Sequence, residues 1–359
     1  MIYPDVTQTK AENLARCIDG RSEEFISRLR GHPEAIAQAS TITDCVRKGY
    51  APLGYGLADF CIIRYGRHFH LFHIPRVPGN NCIHLANEHW FGHAVSEDLN
   101  TWNTCSPPFT TQPSNYFESA HIWAPFVFEQ DGVFYMYYTG LSGEPSQVLC
   151  LATSTDPNLN VWHRYEGNPI LPLGGFDWHW KNEQGHLRQG RDPHVLRVNK
   201  HFLMAYTTMH TNGCPVVGGL VSNDLKRWED IGPILYRPMQ IGGWMPESVN
   251  IQPLPDGQWA LIPSVSPGLE YYLSDDPHHW HDIKPVAISY SGGLDDEPMG
   301  IEILWRDDKR GEWLVAFFEQ SNNRLFFGVL STRSKWRLTR FENQSQLEPW
   351  LRYIADSCR

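Results

Sequence analysis

Apolar and polar positions along the chain recur in one arrangement. A short apolar run ends in Ser, a polar stretch follows, and a Trp closes it. The copies are GHAVSEDLNTW (Ser96, Trp102), LATSTDPNLNVW (Ser154, Trp162), GGLVSNDLKRW (Ser222, Trp228), YYLSDDPHHW (Ser274, Trp280) and FGVLSTRSKW (Ser331, Trp336). The Trp-to-Trp steps are 60, 66, 52 and 56 residues, and a near-fixed period marks a repeat architecture. Between the tryptophans lie the runs HFHLFHI, VFYMYYTG, HFLMAYTT, WALIPSV and WLVAFFEQ. Each is about one strand long and rich in β-branched and aromatic side chains. Turn pairs precede them: Tyr65-Gly66, Asp131-Gly132, Asn199-Lys200, Asp256-Gly257 and Arg310-Gly311. Each repeat therefore holds about four short strands and no helix. Four-stranded sheets set around one axis make an all-β fold, a β-propeller, here with five blades. The Ser-x-Asp-x-x-x-Trp element reads as structural, with Ser and Asp capping a turn and Trp packing between blades.

Residues 1–50 stand outside the repeat, and Leu14, Ile18, Phe25, Ile26 and Leu29 predict a short N-terminal helical extension there. The expected organisation is an extension at 1–50, the propeller at 51–345 and a tail at 346–359, too short for another domain. Composition then narrows the partners. With 40 acidic against 30 basic side chains and a net charge of -10, the chain lacks the clustered cations that nucleic acid needs. Only 19% of residues are charged and 13% are aromatic, enough to build a sizeable core. No uncharged apolar run reaches the roughly 18 residues of a spanning helix, so no membrane partner is expected. The N-terminus shows no basic start followed by an apolar stretch. The eight cysteines do not cluster and form no CxxC pair, which predicts reduced thiols in a cytoplasmic protein and no structural zinc. No dinucleotide or Walker fingerprint is present, so no cofactor is expected. The histidines of HFH (His68, His70) and PHHWH (His278, His279, His281) have spacings that could ligate a metal. On strands and turns they read as surface or core residues, and no metal is assigned.

The innermost strand of each blade lines the central channel, so ionisable residues at the same place in each repeat converge there. Asp59, Asp192, Glu247 and Glu302 precede equivalent strands at intervals of 133, 55 and 55 residues, close to two repeats, one and one. The second repeat offers His121 and Trp123 instead. Carboxylates are costly to bury unless they are used or paired, and Arg191 is one available partner. Converging carboxylates suit glycoside hydrolysis: one acid protonates the leaving oxygen, and a second attacks the anomeric carbon or activates water. A third tunes the acid or steadies the cationic transition state. Trp123, Trp178, Trp180 and Trp244 are candidate platforms for a sugar face. Asp59, Asp192 and Glu247 are the catalytic candidates; Arg191, His121, Trp123, Trp244, Glu302 and Trp178 are candidates for holding an oligosaccharide or small glycoside.

The same residues resemble the five-bladed glycosidases of glycoside hydrolase families 32 and 43, and family 32 most closely. Its HWGHAVSxDLxxW segment resembles HWFGHAVSEDLNTW, His89 to Trp102. Its RDP motif is matched by Arg191, Asp192 and Pro193, and its Trp-Glu-Cys-Pro motif by Trp244-Met245-Pro246-Glu247. Its nucleophile motif resembles LADFCIIRYGRHFHLFH, with Ala58 and Phe60 where the family has Asn and Pro. IWAPFVF at Ile122 is similar to family 43 instead. The repeat and tail leave no room for the C-terminal β-sandwich usual in family 32. The resemblance implies Asp59 as nucleophile or general base, Asp192 as transition-state stabiliser or tuner of the acid, and Glu247 as general acid/base. It implies cleavage of a terminal furanoside, fructofuranoside or arabinofuranoside, with retention if family 32 is the guide and inversion if family 43 is. A glycosyl transferase or phosphorylase on the same scaffold, and a non-catalytic sugar-binding propeller, are the alternatives.

Overall fold

A computed structural model describes residues 40–76, 88–142, 146–237, 245–265, 268–292, 297–319, 321 and 323–356. Five antiparallel sheets follow one another along the chain. Their innermost strands are Gly56–Tyr65, His121–Gln130, Gly190–Val198, Glu247–Pro253 and Pro298–Asp307, in blades 1 to 5. Each inner strand neighbours the inner strand of the next blade, and that of blade 5 returns to blade 1. The chain is a five-bladed propeller.

Within a blade the strands follow chain order outward, as short hairpin turns require. The first hairpin of each blade falls on an expected turn pair. Gly66, Asp131, Gly132, Asn199, Gly257 and Gly311 all take positive φ there, the backbone sense that matches the twist of the strands. Two outer edges gain a strand from another part of the chain. Thr41–Ile42 pairs antiparallel with Trp102–Cys105 of blade 1, and Ser289–Tyr290 pairs parallel with Arg337–Arg340 of blade 5.

The Ser-x-Asp-Trp repeat is a hydrogen-bonded turn. Ser96 Oγ accepts the backbone N–H groups of Asp98 and Leu99, and Asp98 Oδ1 accepts those of Asn100 and Thr101. The Trp102 indole then donates to the Leu99 carbonyl at 2.9 Å. Ser222 and Asp224 repeat the first part, and Trp162 and Trp280 repeat the last. Each tryptophan packs on the blade before its own. Trp162 meets Phe72, Trp228 meets Tyr137, and Trp336 stacks on Tyr271. Trp280 joins the core of blade 3, and Trp102 stacks on Phe327 of blade 5, which closes the ring. Large aromatic side chains buried at every interface supply much of the cohesion between sheets that share no hydrogen-bond ladder.

Closure is reinforced by the segment that enters blade 1. Tyr50 and Leu325 exchange both backbone hydrogen bonds, at 2.8 and 2.9 Å, and Leu57 N–H donates to Asn323. A one-turn helix, Cys45–Lys48, precedes Tyr50. The tail, from which no element was expected, folds as a helix, Gln344–Asp356, whose buried Leu347 and Ile354 join the core of blades 1 and 5. The helices expected around residues 14–29 lie outside the described residues. Among the described residues no helix is long and apolar enough to cross a membrane, and Cys45, Cys61, Cys105, Cys150 and Cys214 are free thiols.

Candidate active site

Every inner strand carries one extra residue at the same depth. The ladder to the second strand slips between Ala58 and Phe60, Trp123 and Phe126, Arg191 and His194, Glu247 and Asn250, and Met299 and Glu302. These are β-bulges, which re-aim side chains where they occur. Four of them hold a residue in the left-handed region: Ala124 at φ 46°, Asp192 at 54°, Ser248 at 46° and Gly300 at 60°. Only glycine takes that conformation freely, and the other three carry strain of about 1–2 kcal/mol each. Five bulges turn one ring of side chains across the channel end.

Two carboxylates meet at that ring around one cation, and Asp59 shares a cavity with one of them. Arg191 Nη2 donates to Glu247 Oε1 at 2.8 Å, and Arg191 Nε lies 3.7 Å from Asp192 Oδ2. Asp192 is buried, and its Oδ2 also accepts the Ser248 N–H at 3.1 Å. Arg191 Nη1 is fixed by Gln189 Oε1 at 2.8 Å. Glu247 is far more open than Asp192, its side chain 38% exposed. Asp59, from the blade 1 bulge, lines a cavity of about 30 Å³ together with Asp192, roughly the room one water needs.

The electrostatics follow from burial. Desolvation pushes the Asp192 carboxyl up to about 7; Arg191 opposes that rise, and Asp59 and Glu247 add to it. Asp59 is raised too, by burial first, with Arg76 pulling down and Glu247 pushing up. Burial disfavours the Arg191 charge, but Asp192 and Glu247 outweigh it and hold the guanidinium firmly protonated. The site thus concentrates negative charge that is poorly solvated and undercompensated. Such a cluster is stabilised when positive charge develops inside it.

The other expected residues fall into four groups. His121 and Trp123 stand beside the cluster at the start of the blade 2 inner strand, in a ring stack of His89, His121 and Trp123. Glu302 lines the same cavity as Asp59 and Asp192, from one step deeper. In blade 5 it is Gly300 that stands level with Asp192, and Glu302 is level with Phe126, His194 and Asn250. There burial alone pushes it up to about 8. Trp178 is not brought to the cluster; its indole donates to Asp230 on the outermost strand of blade 3 at 2.9 Å, and its ring lies 3.8 Å from that of His179. Trp244 lies outside the described residues.

Two charged residues at the site escaped the sequence reading. Glu88, 2% exposed, accepts the Trp123 indole N–H, and Arg76 stands 4.0 Å from it. Both had a signal in the chain. Glu88 directly precedes the His89-Trp90 pair, and Arg76 ends the apolar run HFHLFHIPR. Among the described residues no group of three or more His, Cys, Asp or Glu side chains is placed to hold a metal ion.

Comparison with known proteins gives this geometry a context. The sequence matches the family model of the glycosyl hydrolases family 32 N-terminal domain over residues 61–291. That span includes Asp192 and Glu247 and begins just after Asp59. The 6(G)-fructosyltransferase of Asparagus officinalis is 33% identical over 273 residues, 67% of this chain and 40% of that protein. In three other curated relatives the matched stretch spans 16–25% of their length. In fold, a Bombyx mori family 32 β-fructofuranosidase variant in complex with sucrose superposes with a TM-score of 0.58, at 16% identity, over 90% of this chain and 69% of its own. A thermostable family-43 glycoside hydrolase gives 0.59 at 14% identity, over 79% of this chain and 93% of its own.

Proposed function

The chain belongs to glycosyl hydrolase family 32, and on that premise we propose that it is a glycoside hydrolase that removes a terminal furanosyl unit, fructofuranosyl or arabinofuranosyl, from an oligosaccharide or small glycoside. The observation that carries this reading is the pair of contacts from Arg191, 2.8 Å to Glu247 and 3.7 Å to Asp192. They gather acids from two blades beside the bulge that presents Asp59. A binding site for neutral sugar has no need of three clustered carboxylates.

Asp59 attacks the anomeric carbon. Glu247, at the open side, protonates the leaving oxygen. The transition state resembles an oxocarbenium ion. Its positive charge compensates the poor solvation, and the mutual repulsion, that raise Asp59 and Asp192 in the free enzyme, and so the pair stabilises the transition state more than the ground state. Water then releases the glycosyl-enzyme with Glu247 as base, and the product keeps the substrate's anomeric configuration. Trp123, whose ring is half-buried, offers a flat surface to the bound ring, and His121 backs it.

Transfer to a second sugar in place of water is the alternative, and it is favoured by the name of the Asparagus relative. Both readings share the first step. Sucrose, an aryl β-fructofuranoside and an aryl α-arabinofuranoside are the substrates to try, with products followed by NMR. Free monosaccharide of retained configuration supports hydrolysis. A new oligosaccharide supports transfer, and no turnover of any furanoside refutes both.

A further inference from the structure

Gln189 stands one residue before the inner strand of blade 3 and two before Arg191. Its Oε1 accepts from Arg191 Nη1 at 2.8 Å. Oε1 of Gln147, at the start of the third strand of blade 2, lies 3.5 Å from the same nitrogen. A guanidinium has only donors to offer, so each glutamine turns its amide oxygen toward it. Gly190 makes room for the second of them. A Cβ there would lie 2.7 Å from Leu171 Cδ2 and 3.1 Å from the Gln147 carbonyl oxygen, so a side chain at this position would push blade 2 away. On its other side Arg191 meets acids. Nη2 donates to Glu247 Oε1 at 2.8 Å, and Nε lies 3.7 Å from Asp192 Oδ2. One cation is thus held by neutral groups at one end and faces carboxylates at the other.

The backbone around Gln189 is held without its side chain. The Gln189 carbonyl accepts the Thr208 hydroxyl at 2.5 Å, the Leu187 carbonyl accepts Ser146 Oγ at 2.8 Å, and Gly190 pairs with Thr208 in the ladder. The side-chain amide therefore acts on Arg191, and through Arg191 it reaches the chemistry. Because Glu247 Oε1 accepts a charged N–H, a protonated Glu247 carries its proton on Oε2. A guanidinium free to pivot would no longer fix that choice of oxygen. An ionised acid in place of Gln189 would put a third carboxylate on one buried cation. A neutral acceptor of this length orients Arg191 and leaves its charge to Asp192 and Glu247.

We propose that Gln189 is a positioning residue for proton transfer: its amide pins the Arg191 guanidinium so that Nη2 holds Glu247 Oε1, which leaves Oε2 to carry the proton to the leaving oxygen. This rests on the proposed role of Glu247 as proton donor.

The test compares two furanosides with the same glycosyl unit, one with a sugar and one with a nitrophenolate as leaving group. Gln189→Met keeps the length of the side chain and removes the acceptor. Its kcat/KM should fall about 10-fold or more with the sugar leaving group, the range of a hydrogen bond to a charged group. With nitrophenolate, which needs no proton, it should fall less than about 3-fold. A side chain that only holds its loop would lower both alike. An equal loss on both substrates, or no loss on either, would overturn the assignment. Gln189→Glu supplies a second readout, the acid limb of kcat/KM, which reports the coupled Asp59 and Asp192. Asp192 faces Asp59 and Glu247 and has Arg191 as its countercharge. Another anion on Arg191 should raise that limb by about one pH unit. If Gln189→Met does not fold, an unmoved limb in Gln189→Glu would overturn the assignment instead. Glu247→Gln on the same two substrates separates the two levels. If it loses equally on both, the proposed proton donor fails and takes this inference with it; if it splits them and Gln189→Met does not, only this inference fails.

Discussion

At the outer turn of the blades the same residues recur. Ser96 and Asp98 in blade 1, and Ser222 and Asp224 in blade 3, make the same four backbone contacts, and a Trp closes each interface. At the inner strand it is the backbone that recurs. All five strands bulge at one depth, but the bulges carry Asp59, Ala124, Asp192, Ser248 and Gly300. The difference separates fold from chemistry. Where every blade solves the same packing problem, side chains repeat. Where five blades contribute to one asymmetric site, geometry repeats and side chains diverge. The strain at Ala124, Asp192 and Ser248 belongs to this second region.

The contrast can be broken by substitution at each end. Asp59→Asn should lower turnover on the order of 10⁴-fold or more, as loss of a nucleophile that acts within a catalytic unit does. Its melting temperature should stay level or rise, because Asn carries no charge to desolvate. Trp102→Ala should do the opposite. It should cost about 3–5 kcal/mol of stability, measured by denaturant unfolding, while the protein that remains folded keeps its kcat. Should Trp102→Ala abolish activity in folded protein, the outer turn would have a share in the chemistry that this division denies.

Much of this division was legible in the chain. The Trp period and the turn pairs give the blade count because packing between sheets demands a large side chain at a fixed place. The RDP triplet and Glu247 were legible as acids beside an apolar strand. Glu302 shows where spacing fails. Its interval of 55 residues from Glu247 is close to the repeat, yet the ladders put Met299 level with Glu247 and Glu302 level with Asn250, on the far side of the bulge. Repeats of unequal length blur position by a few residues, and hydrophobic alternation does not show where the register falls. Arg76 and Glu88 escaped for another reason. Neither sits at a repeated position, and only the folded chain brings them together.

Smaller effects sharpen the comparison. Asp98→Ala should cost about 1–2 kcal/mol, the loss of a charged acceptor from two backbone N–H groups. Glu302 gives a pH-dependent test. Its carboxyl is raised to about 8 in the fold against 4.5 in the open chain. The native state therefore holds a proton that the unfolded chain has released, and stability falls as pH rises between those values. Glu302→Gln removes this dependence, so its gain in melting temperature over the wild type should be larger at about pH 8.5 than at about pH 5. An equal gain at both would mean that Glu302 is ionised in the fold.

The central claim is that the inner-strand acids divide a glycosidic cleavage between them, with Glu247 as the proton donor. The most direct measurement compares wild type and Glu247→Gln on two furanosides that differ only in the leaving group. With a poor leaving group such as a sugar, the variant should lose about 10²- to 10⁴-fold in kcat/KM; with a nitrophenolate, which needs no proton, it should lose far less. An equal loss on both substrates would contradict the account, since Glu247 would then serve the site without giving a proton to the leaving oxygen.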